Sequence, residues 1–136
     1  MNTKELDGYL KFLSEKQTAV QESGFDVEDS DLNPLLFPFQ KYCVKRALKV
    51  GRFAMFEDCG SGKAIQSLEW AQQVINHINK PVLILAPLGV VGQTINEGEK
   101  FGYKVTEIAI TTFDQDLAAG IYITNYDNMD NIDAYL

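Results

Sequence analysis

One stretch near the middle of the chain limits the possible folds more than any other. Residues 53–64 read Phe-Ala-Met-Phe-Glu-Asp-Cys-Gly-Ser-Gly-Lys-Ala. A short apolar run, a glycine loop and a helix-forming segment, in that order, predict a strand–loop–helix unit whose loop binds phosphate. In such a loop, successive backbone N–H groups turn inward and the positive end of the following helix adds to them. The stretch therefore predicts a P-loop in an α/β protein.

Two positions of this loop depart from the full P-loop pattern. The pattern has glycine where this chain has Glu57, and Ser or Thr where it has Ala64. The missing hydroxyl normally binds Mg²⁺, so we expect a loop that holds ATP but has an impaired Mg²⁺ site. An ordinary strand–turn–helix junction is the alternative. The loop residues predicted to bind the nucleotide are Cys59, Gly60, Ser61, Gly62, Lys63 and Ala64, with the lysine reaching the β- and γ-phosphates.

Length and composition favour one small domain. The chain has 136 residues, of which 46% are hydrophobic, and this is enough for a single core. Its longest apolar runs are too short to span a bilayer, and its start lacks the apolar region of a signal peptide. Cys43 and Cys59 form neither a disulfide framework nor a metal-ligand spacing. We therefore expect a reduced, cytoplasmic protein with no membrane segment and no metal site.

The charge is distributed unevenly along the chain. The net charge is −7, yet residues 32–104 carry nine basic and five acidic side chains. The flanking residues 1–31 and 105–136 together carry fourteen acidic and three basic side chains. A mildly basic middle suits a phosphate ligand, whereas acidic flanks oppose strong non-specific binding to nucleic acid. Solubility alone explains the acidic flanks equally well.

Hydrophobic periodicity predicts helices that alternate with strands after the first forty residues. This alternation indicates βαβ units and a mostly parallel sheet flanked by helices. Residues 1–36 are predicted to form an N-terminal helix and an acidic loop, and residues 37–136 the P-loop domain. The predicted helices cover residues 3–20, the stretch opened by Pro38, residues 63–78 and 90–101, and the predicted strands cover residues 53–56, 82–86, 105–110 and 120–124.

Three further stretches carry sequence motifs, one before the P-loop along the chain and two after it. Residues 36–40 read Leu-Phe-Pro-Phe-Gln, residues 83–88 read Leu-Ile-Leu-Ala-Pro-Leu, and residues 121–126 read Ile-Tyr-Ile-Thr-Asn-Tyr. They resemble the glutamine motif, motif Ia and motif Ib of superfamily-two helicases and Swi/Snf-like ATPases, most closely the phage-type helicases. The resemblance implies a partial RecA-like domain with about four strands. It also implies that Gln40 reads the adenine edge and that nucleic-acid backbone is approached, weakly in one acidic half, by Pro87, Thr124 and Asn125.

The resemblance also implies what this sequence lacks. The catalytic acid pair of the family follows motif Ib and would lie past Leu136, as would the second RecA-like domain. With Ala64 added, we expect no hydrolysis or unwinding by this chain alone, and we assign no catalytic residue. In RecA-like sheets the P-loop strand pairs with later strands, so residues 53–56 are expected to leave an open strand edge. We expect a closed-up sheet or a homodimer through that edge.

Several functions fit these features. The first is a catalytically inactive helicase-like protein of phage or prophage type, acting as an inhibitor or decoy toward a helicase or a defence complex in the host cytoplasm. The alternative is an ATP-binding fragment of a DNA helicase or ATPase, which the retained Gln40 and Lys63 favour. A nucleic-acid-binding module and a remnant without a selected role also remain open.

Overall fold

A computed structural model describes residues 3–16, 21–114 and 116–127 of the chain. Within these ranges the protein is an α/β structure with a small parallel sheet and four helices. None of these helices combines the length and apolar character needed to cross a bilayer. The helices are α1 (Thr3–Lys16), α2 (Pro38–Val50), α3 (Lys63–Ile78) and α4 (Leu88–Phe101), and the strands are β1 (Val82–Ala86), β2 (Val105–Glu107) and β3 (Ile121–Asn125).

The sheet has three parallel strands in the order β1-β3-β2. Val82 of β1 and Val105 of β2 both lie opposite Ile121 of the central strand. Helix α4 supplies the crossover that two parallel strands on the same sheet require. The central strand is the most buried one, because Ile121 and Ile123 are 2% and 0% exposed. The sheet therefore has its core along β3 and an open edge at β1.

Helix α3 packs its apolar stripe against the sheet. Ile65, Leu68 and Ala71 recur at helical spacing and join Tyr103 and Ile121 in one buried cluster. The helix ends at Asn79, whose left-handed backbone lets its N–H donate to the carbonyl of Ile75. The predicted helix over residues 63–78 and the predicted strand over residues 82–86 are both confirmed.

An acidic strap, which we define as residues 22–31, wraps the end of α2. The N–H groups of residues 23–25 donate to the last carbonyls of that helix at 3.0–3.2 Å. These bonds satisfy helix-end carbonyls that would otherwise have no partner. The acidic side chains of the strap also face the basic face of α2. The ion pairs are Asp29–Lys45 at 2.7 Å, Glu22–Arg46 at 3.0 Å, Asp26–Lys49 at 3.5 Å and Glu22–Lys49 at 3.9 Å.

The predicted strand over residues 53–56 is wrong, and the sheet has three strands rather than four. This segment runs past the open edge of β1 without a ladder. A slot of about 280 Å³ separates the two, and its apolar lining includes Phe53, Met55 and Ile84. The expected closing of the sheet around residues 53–56 is therefore also wrong for the single chain. An apolar run favours burial, but a strand needs a hydrogen-bonded neighbour, and no described residue forms a backbone ladder with this segment.

Other predicted boundaries differ by smaller amounts. The N-terminal helix is described to Lys16, and residues 17–20 lie outside the described ranges. The strand predicted over residues 105–110 ends at Glu107 and is followed by a 3₁₀ turn at Ile110–Thr112. The last strand begins and ends one residue later than predicted, and α4 begins two residues earlier. Residues 128–136, the last part of the acidic flank 105–136, lie outside the described residues.

Candidate phosphate-binding site

The glycine loop of residues 57–62 leads directly into α3. Gly60 and Gly62 have φ angles of +82° and +79°, a left-handed conformation that glycine adopts at no steric cost. A Cβ atom at Gly62 would lie 2.4 Å from Nε2 of Gln40, whereas nothing lies within 4 Å of one at Gly60. Gly62 is thus required for both conformation and space, and Gly60 for conformation alone.

The N–H groups of residues 63–65, at the start of α3, have no backbone partner among the residues that the structure describes. Gln66 is the first residue whose N–H bonds within the helix, to the carbonyl of Gly62 at 3.2 Å. The N-cap is Gly62, which has no side chain to cap the N–H groups of the first helical turn that follows it. A helix of 16 residues also places partial positive charge at this end. The arrangement favours an anion, and phosphate is the anion such helix starts commonly bind.

Lys63 folds its side chain back over the loop. Its Nζ donates to the carbonyl of Glu57 at 2.7 Å and lies 3.5 Å from that of Asp58. The side chain is exposed, so its ammonium charge stays accessible at the mouth of the loop. A phosphate entering the loop would compete with these two carbonyls for the ammonium group.

Glu57, which stands where a P-loop has glycine, directs its carboxylate to the inner side of the loop. One carboxylate oxygen accepts a hydrogen bond from Nε2 of Gln66 at 2.8 Å. The Ser61 hydroxyl, then the Gln66 amide, hold the pKa of this carboxyl below its usual range, although burial opposes them. Burial, then Glu57 itself, raises the pKa of the neighbouring Cys43 thiol. The loop therefore carries a fixed negative charge at neutral pH, which weakens its attraction for phosphate.

Three buried polar atoms on this inner side make no hydrogen bond of ordinary geometry within the described residues. They are Oε1 of Glu57, Oγ of Ser61 and Oε1 of Gln66. The Ser61 hydroxyl is close enough to Glu57 to lower the pKa of that carboxyl, although the two make no hydrogen bond of ordinary geometry. The inner side of the loop is thus polar.

Gln40 joins the start of α2 to the glycine loop. Its Oε1 accepts from the N–H of Phe37 at 2.9 Å, and its Nε2 donates to the carbonyl of Ser61 at 3.0 Å. The residue is only 5% exposed. The resemblance predicts that this glutamine reads adenine, whereas the contacts it makes in the structure position the loop.

A cleft of about 400 Å³ adjoins the loop. It lies between the start of α2, the glycine loop and the last turn of α4. Phe37 and Phe39 are 65% and 50% exposed at its rim, with nearly parallel rings 6.3 Å apart. Sequence reasoning missed the third wall, because nothing in the pattern of α4 links its last turn to the loop. Glu97, Lys100 and Phe101 form this wall.

The structure brings together the three residues predicted to approach nucleic acid. Pro87 follows β1, while Thr124 and Asn125 end β3, and Ala86 lies opposite Asn125 in the register. Since α3 ends just before β1 begins, its start lies at the same carboxyl edge of the sheet. Thr124 is buried, and Oδ1 of Asn125 accepts the N–H of Asp127 at 3.2 Å. Pro87 is therefore the most accessible of the three.

Cys59 and Ala64 are the remaining loop positions predicted to contact the nucleotide. Cys59 is exposed, and Ala64 presents only a methyl group where a hydroxyl would bind Mg²⁺. Within the described part of the chain, no three His, Cys, Asp or Glu side chains are grouped so that they could hold a metal ion.

Comparisons with protein-family models and with curated proteins give no match for this chain. The function proposed below therefore rests on the geometry of the glycine loop and its surroundings.

Proposed function

We propose that this chain is a catalytically inactive, helicase-like P-loop protein that binds ATP through its phosphates. The observation that carries the proposal is the start of α3, where N–H groups without a backbone partner in the described ranges follow two left-handed glycines. Lys63 places its ammonium group over the same loop. Backbone donors, a helix dipole and one mobile cation are the features by which P-loops bind phosphate.

The same loop is poorly equipped for hydrolysis. Phosphoryl transfer in P-loop proteins needs a metal held by the hydroxyl that follows the lysine, and Ala64 has none. The carboxylate of Glu57, kept ionised by its neighbours, adds negative charge close to the phosphate position. We therefore propose binding that is weaker than in an active P-loop and that does not depend on Mg²⁺.

Calorimetric titration of ATP into the purified chain, with and without Mg²⁺, tests this proposal. We expect the same affinity in both conditions, and we expect Ala64→Thr to make binding Mg²⁺-dependent. Lys63→Ala should weaken binding about tenfold or more, because it removes a charge-assisted contact. Lys80→Ala is the matched control, since this exposed lysine follows the opposite end of α3. No binding at millimolar ATP would refute the proposal.

A second candidate is a protein-binding role, as an inhibitor or decoy toward a helicase or defence complex. Helix α1 favours it, because one face of this helix presents Leu6, Leu10 and Leu13 at 40–53% exposure. Exposed apolar patches of this kind commonly mark interaction sites. Co-precipitation with purified host helicase and nuclease complexes tests it. Leu10→Lys should abolish capture, Lys11→Ala should preserve it, and capture that is insensitive to Leu10→Lys would exclude α1.

A further inference from the structure

We infer that the cleft beside the glycine loop is an adenine-selective site in which Glu97 and Lys100, rather than Gln40, recognise the base. This inference rests on the proposed function, since it assigns the base of the same nucleotide. The cleft of about 400 Å³ falls within the usual size range of small-molecule sites. It is continuous with residues 60–62, so one nucleotide can place its phosphates in the loop and its base in the cleft.

The walls of the cleft suit a flat aromatic ligand. Phe37 and Phe39 lie at its rim and are 65% and 50% exposed, respectively. Phe101 and Ile65 add apolar surface to the lining of the cleft. Exposed aromatic rings are common stacking platforms for nucleobases, and stacking itself is tolerant of which base is bound. Selectivity must therefore come from the polar groups of the cleft.

Gln40 is not free to supply that selectivity. Its carbonyl oxygen is bonded to the N–H of Phe37, and its amide nitrogen is bonded to the carbonyl of Ser61. Reading a base edge would require breaking at least one of these bonds in a residue that is 5% exposed. Gln40 is instead a positioning residue, which fixes the loop relative to the start of α2.

Glu97 and Lys100 offer an acceptor and a donor side by side. They are three residues apart on α4, so both lie on one face of the helix and line the same cleft. Neither forms an ion pair within the described ranges, and Glu97 accepts one bond, from Gln93 at 3.2 Å. A carboxylate has acceptor capacity for further bonds, and an ammonium group has three donors.

This pair matches the edge of adenine better than that of guanine. Adenine presents an amino donor at N6 beside an acceptor at N7, whereas guanine presents acceptors at both O6 and N7. Glu97 can accept from the amino group of adenine while Lys100 donates to the ring nitrogen. With guanine in the same orientation, the carboxylate would face an oxygen that has no proton to give.

Titration of ATP, GTP and tripolyphosphate without Mg²⁺ tests the inference. For the unmodified chain we expect ATP to bind about tenfold more tightly than GTP, as one good base contact provides. In Glu97→Gln the ratio should approach one, because the new amide can turn its N–H₂ toward O6. Glu99→Gln is the matched control, since Glu99 is exposed on the same helix outside the cleft.

Gln40→Ala should weaken all three ligands by a similar factor, because this residue acts through the loop. The inference is overturned if Gln40→Ala alone removes the preference for ATP, or if Glu97→Gln leaves it unchanged. It is also overturned if tripolyphosphate binds as tightly as ATP, although the phosphate site then stands. If tripolyphosphate, ATP and GTP all fail to bind, the proposed function fails as well. Circular dichroism confirms that each variant is folded.

Discussion

At the scale of single residues, the best-buried polar contacts surround Glu69. This carboxylate is 2% exposed and accepts hydrogen bonds from the Tyr103 hydroxyl and from Nε2 of Gln73. Asn33 in turn donates to the tyrosine oxygen at 3.1 Å. The group joins α3 to the loop before α2 and to the turn after α4. Because buried polar groups are costly when unpaired, each member depends on the others.

Tyr103 should make stability fall at alkaline pH. Burial, reinforced by the bond to Glu69, raises the pKa of its hydroxyl well above the ordinary value of 10.0. The folded state therefore holds this proton more strongly than the unfolded state does. The resulting stability is fully present below pH 10 and is lost progressively as the pH rises above it.

Urea unfolding between pH 8 and pH 11.5 measures this effect. We expect Tyr103→Phe to be less stable than the unmodified chain at pH 8, because it removes a partner of Glu69. The difference should shrink above pH 10. Tyr9→Phe, an exposed position on α1, should follow the unmodified chain throughout. A constant difference between Tyr103→Phe and the unmodified chain would contradict the assigned role.

The sequence predicted the residues of the loop but not their partners. Its glycines and lysine follow a local pattern, and in the structure both glycines have a left-handed backbone conformation. The contact of Gln40 with Ser61 spans 21 residues and depends on how α2 lies against the loop. Periodicity cannot supply such a contact, because it reports which face of a helix is buried and not what that face meets.

At the scale of elements, the junction between the acidic strap and α2 is tightly constrained by its backbone contacts. Residues 23–25 cover the last carbonyls of the helix, and this requires very close backbone approach. A Cβ atom at Gly24 would lie 1.7 Å from the carbonyl oxygen of Leu48. The backbone oxygen cannot give way as a flexible side chain would, so only glycine fits.

Gly24→Ala should therefore detach the strap or distort the end of α2. We expect a loss of about 3 kcal/mol in the free energy of unfolding, measured by urea titration. Gly92→Ala is the matched control, because nothing lies within 4 Å of a Cβ atom at that exposed helical position. It should gain about 0.5–1 kcal/mol from reduced backbone entropy. Equal stability of the two variants would show that the strap is not held as described.

Elements with strong local patterns were predicted well, and those defined by distant partners were not. The stripe of α3 and the continuous apolar run of β1 carry their own signal. Residues 53–56 carry a similar apolar signal, yet they form no strand because no neighbour completes a ladder. The 3₁₀ turn after β2 was also missed, since apolar residues 108–110 extend the strand pattern past the paired residues.

At the scale of the whole molecule, the basic middle of the sequence is partly neutralised within the chain. Lys45, Arg46 and Lys49 face carboxylates of the acidic strap. All these pairs are substantially exposed to solvent, so each contributes little to stability. Their main effect is on the electric field, because phosphate on a nucleic acid would have to compete with them.

We therefore expect weak binding to single-stranded DNA at physiological salt, despite the grouping of Pro87, Thr124 and Asn125. Fluorescence anisotropy with a labelled oligonucleotide measures this affinity. The dissociation constant should stay at or above about 100 μM, the weak limit of the non-specific range. Removing two strap charges with Glu22→Gln and Asp29→Asn should tighten binding at low salt. Micromolar or tighter binding by the unmodified chain would instead support a nucleic-acid-binding role.

The α/β class and the parallel sheet were predictable because helices and strands alternate along the chain. A RecA-like arrangement remains a prediction that comes from the resemblance. Strand order was not predictable, since it depends on which strand enters the middle of the sheet. Here the last described strand does so, and this leaves β1 with one free side.

Because β1 is paired on one side only, half of its backbone N–H groups are bonded to β3 and the other half are open to solvent. The N–H of Val82 donates to the carbonyl of Gly120, toward the central strand. Because successive N–H groups of a strand point in opposite directions, those of Leu83 and Leu85 point away from β3, toward the open edge. Amide hydrogen–deuterium exchange should therefore be slow at residues bonded to the central strand, such as Val82, and fast at Leu83 and Leu85. Exchange rates that alternate from one residue to the next along β1 would show in solution that this edge of the strand is unpaired.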